Sequence, residues 1–354
     1  MPTLLTGGAE NFVLAIATRF DPNVFEIVVI VTRGQATAEN VARLRRAGLE
    51  VVMLGRRSWI TSLLATALLC LRRRPDVIHT NIGSLLHVSL GSALLPRPVT
   101  RIHTLHNIAG FAERGLRMRM VRGVLRHQGF QLVSISNAVT RSAVSEFHLD
   151  SERVCLIPNG VDTNWFAPSP DRDSVQRQGT RFVAVGSLLP VKAHGNLVRA
   201  FAGMLPSLRE DCFLTIVGGG PLYAELQDLI ETLGLKAHVN LLGQCKDVRS
   251  ILLTSDIFVS GSRSEGFPLS LLEAMATGLP SIVTAVGGVV DAVRDEEEGL
   301  LVAPQNVAAL TNAMERLVQD APLRKALSRN ARQRALKFSW DKCVNAYSKL
   351  YRAG

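Results

Sequence analysis

Short β-branched runs, most of them apolar from end to end, recur between helical stretches along the whole chain. In the first half they cover residues 25–32, 50–54, 76–80, 99–106, 131–136 and 153–159. In the second half they cover 181–187, 212–218, 239–243, 256–262, 280–286 and 299–304. A strand that is apolar on both sides must be covered on both faces, and parallel strands need a helix to cross over. The alternation therefore predicts an α/β fold of doubly wound, Rossmann-like sheets. A chain of 354 residues suits two such domains at about 150 residues each.

The segment 165–180, "WFAPSPDRDSVQRQGT", is polar, holds two prolines and breaks the rhythm. The expected plan is a first domain over 1–164, a linker over 165–180 and a second domain over 181–337. A final helix, 338–354, is expected to pack back on the first domain. The short glycine-bearing motifs "TGGAE", "VGS", "VGGG" and "SRSEG" all follow strands. In open α/β sheets that edge binds ligands, so two domains facing an interdomain cleft are expected to share a site there.

The longest apolar run, Trp59 to Leu71, is shorter than the ~20 residues that span a bilayer, and a core helix is expected. The five cysteines are scattered without a CxxC and read as reduced thiols of a cytoplasmic protein. No secretory signal is visible at the start. The net charge is +10, placed unevenly. Up to Trp165 there are 19 arginines, no lysine and 11 acids, giving +8; the remainder has 21 basic residues and 19 acids. An anionic partner is expected to meet the first half. A membrane surface fits better than nucleic acid, which is not expected as a partner.

The stretch "SRSEGFPLSLLEAMATG", Ser262 to Gly278, carries the most chemistry. Pro268 suits the first position of a helix and Gly278 its end. Phe267 then stands at the N-cap, where it has no oxygen to offer, and the first-turn N–H groups are left for an anion such as a diphosphate. Leu269, Leu272, Glu273 and Ala276 share one face. A carboxylate there needs donors, and the hydroxyls of a ribose supply them. Glu265 stands just ahead of the helix.

These residues resemble the Glu-x7-Glu signature of the retaining family 4 glycosyltransferases. "GGAENFVLAIA", "RPDVIHTN", "HTLHN", "SISNAV", "IPNGVDTNWFAP", "VGSLLPVKAHGNLVRAF", "LTIVGGGPLYAEL" and "EGLLVAP" extend the resemblance over nearly the whole chain. It implies the two-domain GT-B fold and transfer of a sugar from a nucleotide-diphospho-sugar without a metal. The implied acceptor is a lipid-linked saccharide or other glycan precursor. By the same resemblance Glu273 holds the ribose and the amides of Gly266, Phe267, Pro268 and Leu269 lie along the diphosphate. Lys192 is the phosphate-binding lysine, with Gly186 and Gly218 in the donor turns. Glu265 lies by the transferred sugar as an acidic catalytic group. His106, ending a strand, faces the sugar from the acceptor domain, with His103 expected on the same strand face. Gly7 and Gly8 form the glycine turn near donor and acceptor.

The chain departs from the family pattern at two places. Ser187 stands where the family has an arginine, so half the usual cationic clamp is missing. Only "MPTLL" precedes the glycine turn, so the first strand is expected to be short or missing, or the start misplaced. Asp171–Arg172–Asp173 matches a metal motif of another glycosyltransferase fold but follows no strand, and no metal or other cofactor is expected. Arg119, Arg122 and Arg126 line one helical face beside Met118, Val121 and Leu125 and suit an anionic membrane. A peripheral position on the inner membrane face follows. The alternatives are a nucleotide-sugar 2-epimerase on the same fold and a degenerate nucleotide-sugar-binding protein.

Overall fold

The computed structural model describes residues 1–55, 58–96, 98–108, 115–169 and 179–353. The chain divides into two compact units, Met1–Gly160 with Trp340–Gly354, and Val161–Ser339. The crossings therefore lie at 160/161 and 339/340, not within the polar segment 165–180. The physical reason is local pairing: Val161 is buried, its N–H donates to Phe338 O at 2.8 Å, and it bridges Ser339. Residues 165–169 thus already belong to the second unit, and 170–178 lie outside the described residues.

The first unit runs β1 (Thr3–Leu4), α1 (Gly8–Ala17), β2 (Val28–Val31), β3 (Gln35–Ala36), α2 (Ala38–Arg46), β4 (Glu50–Met53) and α3 (Trp59–Arg73). It continues with β5 (Val77–Asn81), α4 (Leu85–Ala93), β6 (Thr100–Leu105), α5 (Leu116–His127), β7 (Gln131–Ser134), α6 (Asn137–Phe147) and β8 (Val154–Leu156). Its strands form parallel ladders, β5-β6-β7-β8, β2-β4 and β1-β3. The first strand is present but only two residues long. It pairs with β3, which the sequence pattern does not announce, through Thr3↔Gln35 and Leu4↔Ala36.

Helix α3 departs from expectation. Its buried residues are Ser62, Thr66, Ala67 and Cys70, whereas Ile60, Leu64, Leu68 and Leu71 are exposed. A glycine in α4 explains the small inner face. A Cβ at Gly91 would meet Ala67 Cα at 2.7 Å and Cys70 Sγ at 3.0 Å, so the two helices touch backbone to backbone.

The second unit runs β9 (Thr180–Val185), α7 (His194–Ala202), α8 (Pro206–Arg209), β10 (Cys212–Val217), α9 (Tyr223–Thr232), β11 (Val239–Gly243), α10 (Val248–Leu253) and β12 (Ile257–Ser260). Then follow α11 (Leu269–Ala276), β13 (Ser281–Thr284), α12 (Val289–Ala292), β14 (Gly299–Val302), α13 (Val307–Gln319) and α14 (Ala321–Ala335). One parallel sheet of order β11-β10-β9-β12-β13-β14 carries the core, with Phe182, Leu214, Ile257 and Ile282 buried between helices. The order reverses between β9 and β12. A crevice opens at such a switch point, beyond the carboxyl ends of the two strands.

The last helix, α15 (Trp340–Arg352), belongs to the first unit. It buries Trp340, Cys343, Val344 and Tyr347, with the Tyr347 ring 5.5 Å from that of Phe12 in α1. Among the described residues no helix is long and apolar enough to cross a membrane.

Candidate functional site

In the second unit the glycine turns after β9 and β10 interlock. Gly186 N–H donates to Val217 O and Leu188 N–H to Gly219 O, each at 2.9 Å. Gly218 has φ 156°, and a Cβ there would fall 1.8 Å from Gly186 O. Only glycine lets these two turns approach so closely. Past the first turn, Lys192 closes a 3₁₀ turn ahead of α7.

Lys192 Nζ lies 2.6 Å from Glu265 Oε1, and Ser262 Oγ donates to the same oxygen at 2.7 Å. The two side chains are 22% and 10% exposed, so the pair is only partly screened by water. The backbone of Glu265 is held as well. Gly288 N–H donates to its carbonyl at 3.1 Å, and Gly287, at φ 51°, would bring a Cβ within 1.8 Å of that oxygen. Thus residues from β9 and β12 meet at the switch point. Ser187 is exposed beside Gly186 and brings no charge.

Helix α11 starts one residue later than expected. Pro268, with ψ 121°, is the N-cap, and Leu269 is the first helical residue. The N–H groups of Leu269, Ser270 and Leu271 therefore lack intrahelical acceptors and point forward. Phe267 is buried instead of capping, its ring 5.3 Å from that of Phe338. Behind this terminus Glu273 sits partly buried on a helix whose Leu272 and Ala276 are fully buried. Among the described residues no side chain pairs with it, and burial pushes its carboxyl up to about 7.

His194, the first residue of α7, lies beside this cluster. It is buried with neither ring nitrogen hydrogen-bonded, and burial and the nearby Lys192 cation hold it down at about 4. The signal for it in the sequence was only its place two residues after Lys192.

The first unit has its own polar cluster at the ends of β5 and β6. His106 Nε2 donates to Asn81 Oδ1 at 2.8 Å, and the Phe12 ring packs on the imidazole at 4.8 Å. Burial, with His103 next in effect, lowers His106 to about 3, so it is neutral at all ordinary pH. His103 does not share its face. The two are three residues apart, and the pleat turns His103 to the other side, where Nδ1 meets Thr80 Oγ1 at 2.8 Å. On the His106 side, His79 bridges Tyr351 OH at 2.6 Å and Thr104 Oγ1 at 2.7 Å, and Thr104 meets Tyr347 OH at 2.9 Å. The C-terminal helix thus backs the strand ends that hold His106. Asn81 was missed as an individual residue, although it closes the motif "RPDVIHTN".

Gly7 is the extended N-cap of α1 and Gly8 its first residue. A Cβ at Gly7 would meet Glu10 Oε2 at 2.5 Å, because Glu10 folds back to accept from Thr3 Oγ1 at 2.9 Å. On α5 only Arg119 and Arg126 of the expected arginine row are exposed. Arg122 turns inward and donates Nε to Glu146 O at 2.7 Å, and Met118, Val121 and Leu125 are buried in the core. The apolar residues expected beside the arginines at the surface thus face the other way. Asp171–Arg172–Asp173 lies outside the described residues.

Two family models match the chain, "Glycosyltransferase Family 4" over residues 6–165 and "Glycosyl transferases group 1" over 171–334. The UDP-Gal:alpha-D-GlcNAc-diphosphoundecaprenol alpha-1,3-galactosyltransferase of Escherichia coli is 29% identical over 82% of this chain and 78% of its own. The D-inositol 3-phosphate glycosyltransferase of Acidothermus cellulolyticus is 30% identical over 78% of this chain and 67% of its own. In fold the chain is similar to Anabaena HepE crystallised with UDP-glucose, with a TM-score of 0.88 at 20% identity over 100% of this chain and 98% of that one.

Proposed function

The chain belongs to the group 1 and family 4 glycosyltransferases and has their GT-B fold, and from that premise we propose how it binds and transfers its sugar. A nucleotide-diphospho-sugar, in the first instance a UDP-sugar, binds the second unit. The diphosphate meets the free N–H groups of α11 and Lys192, and the ribose hydroxyls donate to Glu273. Glu265 then lies by the sugar, where positive charge develops in an oxocarbenium-like transition state. Transfer retains the anomeric configuration and needs no metal, with a donor phosphate oxygen taking the acceptor's proton.

The acceptor is a saccharide on a lipid diphosphate, bound by the first unit. Within that unit His106 and the Gly7–Gly8 turn are the residues that meet it. The first unit carries a net charge of +11, from 22 basic and 11 acidic residues, against −1 for the second. The enzyme accordingly works peripherally at an anionic membrane, on its cytoplasmic face.

The observation that carries this reading is Glu273, a partly buried carboxylate with no side-chain partner among the described residues, directly behind an uncapped helix terminus. Calorimetry of UDP, GDP and ADP against the whole chain tests it. UDP should bind, and Glu273→Gln should weaken it by about 1.5–3 kcal/mol. Equal affinity in the folded variant rejects the ribose assignment. Release of free sugar and nucleotide without an acceptor would mark an epimerase instead.

A further inference from the structure

Helix α3 presents its large side chains outward. Ile60, Leu64, Leu68 and Leu71 are 59%, 56%, 49% and 38% exposed. At 100° per residue they fall within an arc of about 80°. A lone exposed leucine is ordinary, but a row of four along one helix marks an interaction surface. The inner face is occupied by small and hydroxyl residues. Ser62 Oγ donates to Thr32 O at 3.2 Å and Thr66 Oγ1 to Ser62 O at 2.7 Å. The inner contact with α4 thus leaves no room for the leucines to turn in.

The surroundings of this row are cationic. Helices α3, α4 and α5 contain no aspartate or glutamate, and α4 packs on both of the others. Residues 50–145 hold thirteen arginines against Glu50, Asp76 and Glu113, a balance of 13 − 3 = +10, with Glu50 paired to Arg73 at 2.6 Å. Arg72 is exposed next to the row, and Arg119 and Arg126 are exposed on α5 with Leu116 and Met120. Trp59, also exposed, opens α3 with a side chain suited to a membrane–water boundary.

We propose that the outward face of α3 seats on an anionic bilayer. Ile60, Leu64, Leu68 and Leu71 enter the boundary between headgroups and acyl chains, and the exposed Arg72, Arg119 and Arg126 lie over the headgroups. A second copy of the chain is the poorer occupant. A twofold contact would set this arginine-rich rim against itself. A bilayer offers an apolar interior and negative charge together. The inference rests on the reading of a membrane-borne acceptor and places the contact on α3, with α5 as its charged flank.

The test uses the whole chain and vesicles of phosphatidylcholine with or without phosphatidylglycerol. The variant Ile60→Ser, Leu64→Ser, Leu68→Ser, Leu71→Ser should lower partition onto the anionic vesicles at least tenfold. Its UDP affinity should be held, because α3 belongs to the other unit from the donor-binding residues, and this also shows that the variant is folded. A single Leu68→Trp reporter should shift to the blue on binding and be quenched by brominated lipid. Unchanged partition of the quadruple variant overturns the proposal, as does equal binding to neutral vesicles. A dimer in sedimentation velocity that the quadruple change abolishes, with no vesicle binding, assigns the face to a second copy instead. Loss of UDP binding in the parent chain would strike the donor reading alone, since vesicle partition is measured without nucleotide.

Discussion

Lys192 and Glu265, 73 residues apart, share one ion pair of 2.6 Å at the switch point of the second sheet. Each was assigned from sequence to a different end of the donor, the lysine to phosphate and the glutamate to sugar. Their pairing makes each the counter-charge of the other until a diphosphate arrives. Glu265→Gln should therefore leave nucleotide affinity equal or tighter by calorimetry, since Lys192 is released. Its kcat should fall by about 10²–10³, the usual scale for losing one electrostatic contact to a transition state. Lys192→Ala should instead weaken UDP by about 1.5–3 kcal/mol. Weaker UDP binding in the Glu265 variant would contradict the exchange.

Glu273 links stability and binding to pH. Burial pushes its carboxyl up from the usual 4.5 to about 7, so the folded chain holds a proton that the unfolded chain gives up. The advantage is fully present below about 4.5 and is lost as pH rises through 7. The stake is on the order of 3 kcal/mol. Glu273→Gln should accordingly melt higher than the parent at pH 8 and close to it at pH 4.5. Ribose hydroxyls donating to the carboxylate would expel that proton. UDP affinity should then rise with pH through about 7, and calorimetry in buffers of different ionisation heat should register the release.

His106 should act as a neutral group throughout. Burial holds it down at about 3, and Asn81 Oδ1 accepts from Nε2, which leaves Nδ1 as a lone pair. The kcat profile is expected to show no limb between pH 5 and 8 from this residue. Asn81→Asp places a negative charge against the ring and should raise its pKa, so a limb should enter that range. A profile identical to the parent's would remove Asn81 from the control of this imidazole.

Gly287 should resist substitution. At φ 51° with a Cβ 1.8 Å from Glu265 O, alanine must both strain the turn and push the glutamate away. Gly287→Ala is expected to cost about 2–4 kcal/mol in chemical denaturation, combining a left-handed backbone with overpacking. The catalytic constant should fall with it. Gly123→Ala, in α5, meets nothing within 4 Å and serves as the mild control.

The second unit was the more legible half. Its inner strands β9, β12 and β13 are largely buried on both faces, so they read as nearly unbroken apolar runs, and the glycine turns at the strand ends are fixed by backbone contact. The first unit hid β3, because Gln35–Ala36 is two residues without a β-branched side chain. Arg122 could not be told from Arg119 and Arg126 in sequence, since its inward turn depends on the Glu146 carbonyl lying opposite. Helix α3 read as a core helix because its composition is apolar, and composition does not reveal which side a neighbouring glycine admits. The same blindness hid the Lys192–Glu265 pair, whose partners come from strands adjacent only in the sheet.

The return of α15 to the first unit bears on how such a chain can recombine with its relatives. Gly160 is pressed against Trp340, where a Cβ would come within 2.6 Å of the tryptophan Cα, and Val161 bridges Ser339. Departure and re-entry of the chain are thus stitched together residue to residue. A single exchange point anywhere in the second half would hand the first unit a foreign Tyr347 and Tyr351 against its own Thr104 and His79. Swapping donor specificity intact requires two exchange points, one at each stitch, so that the second unit moves as a cassette inserted within the first.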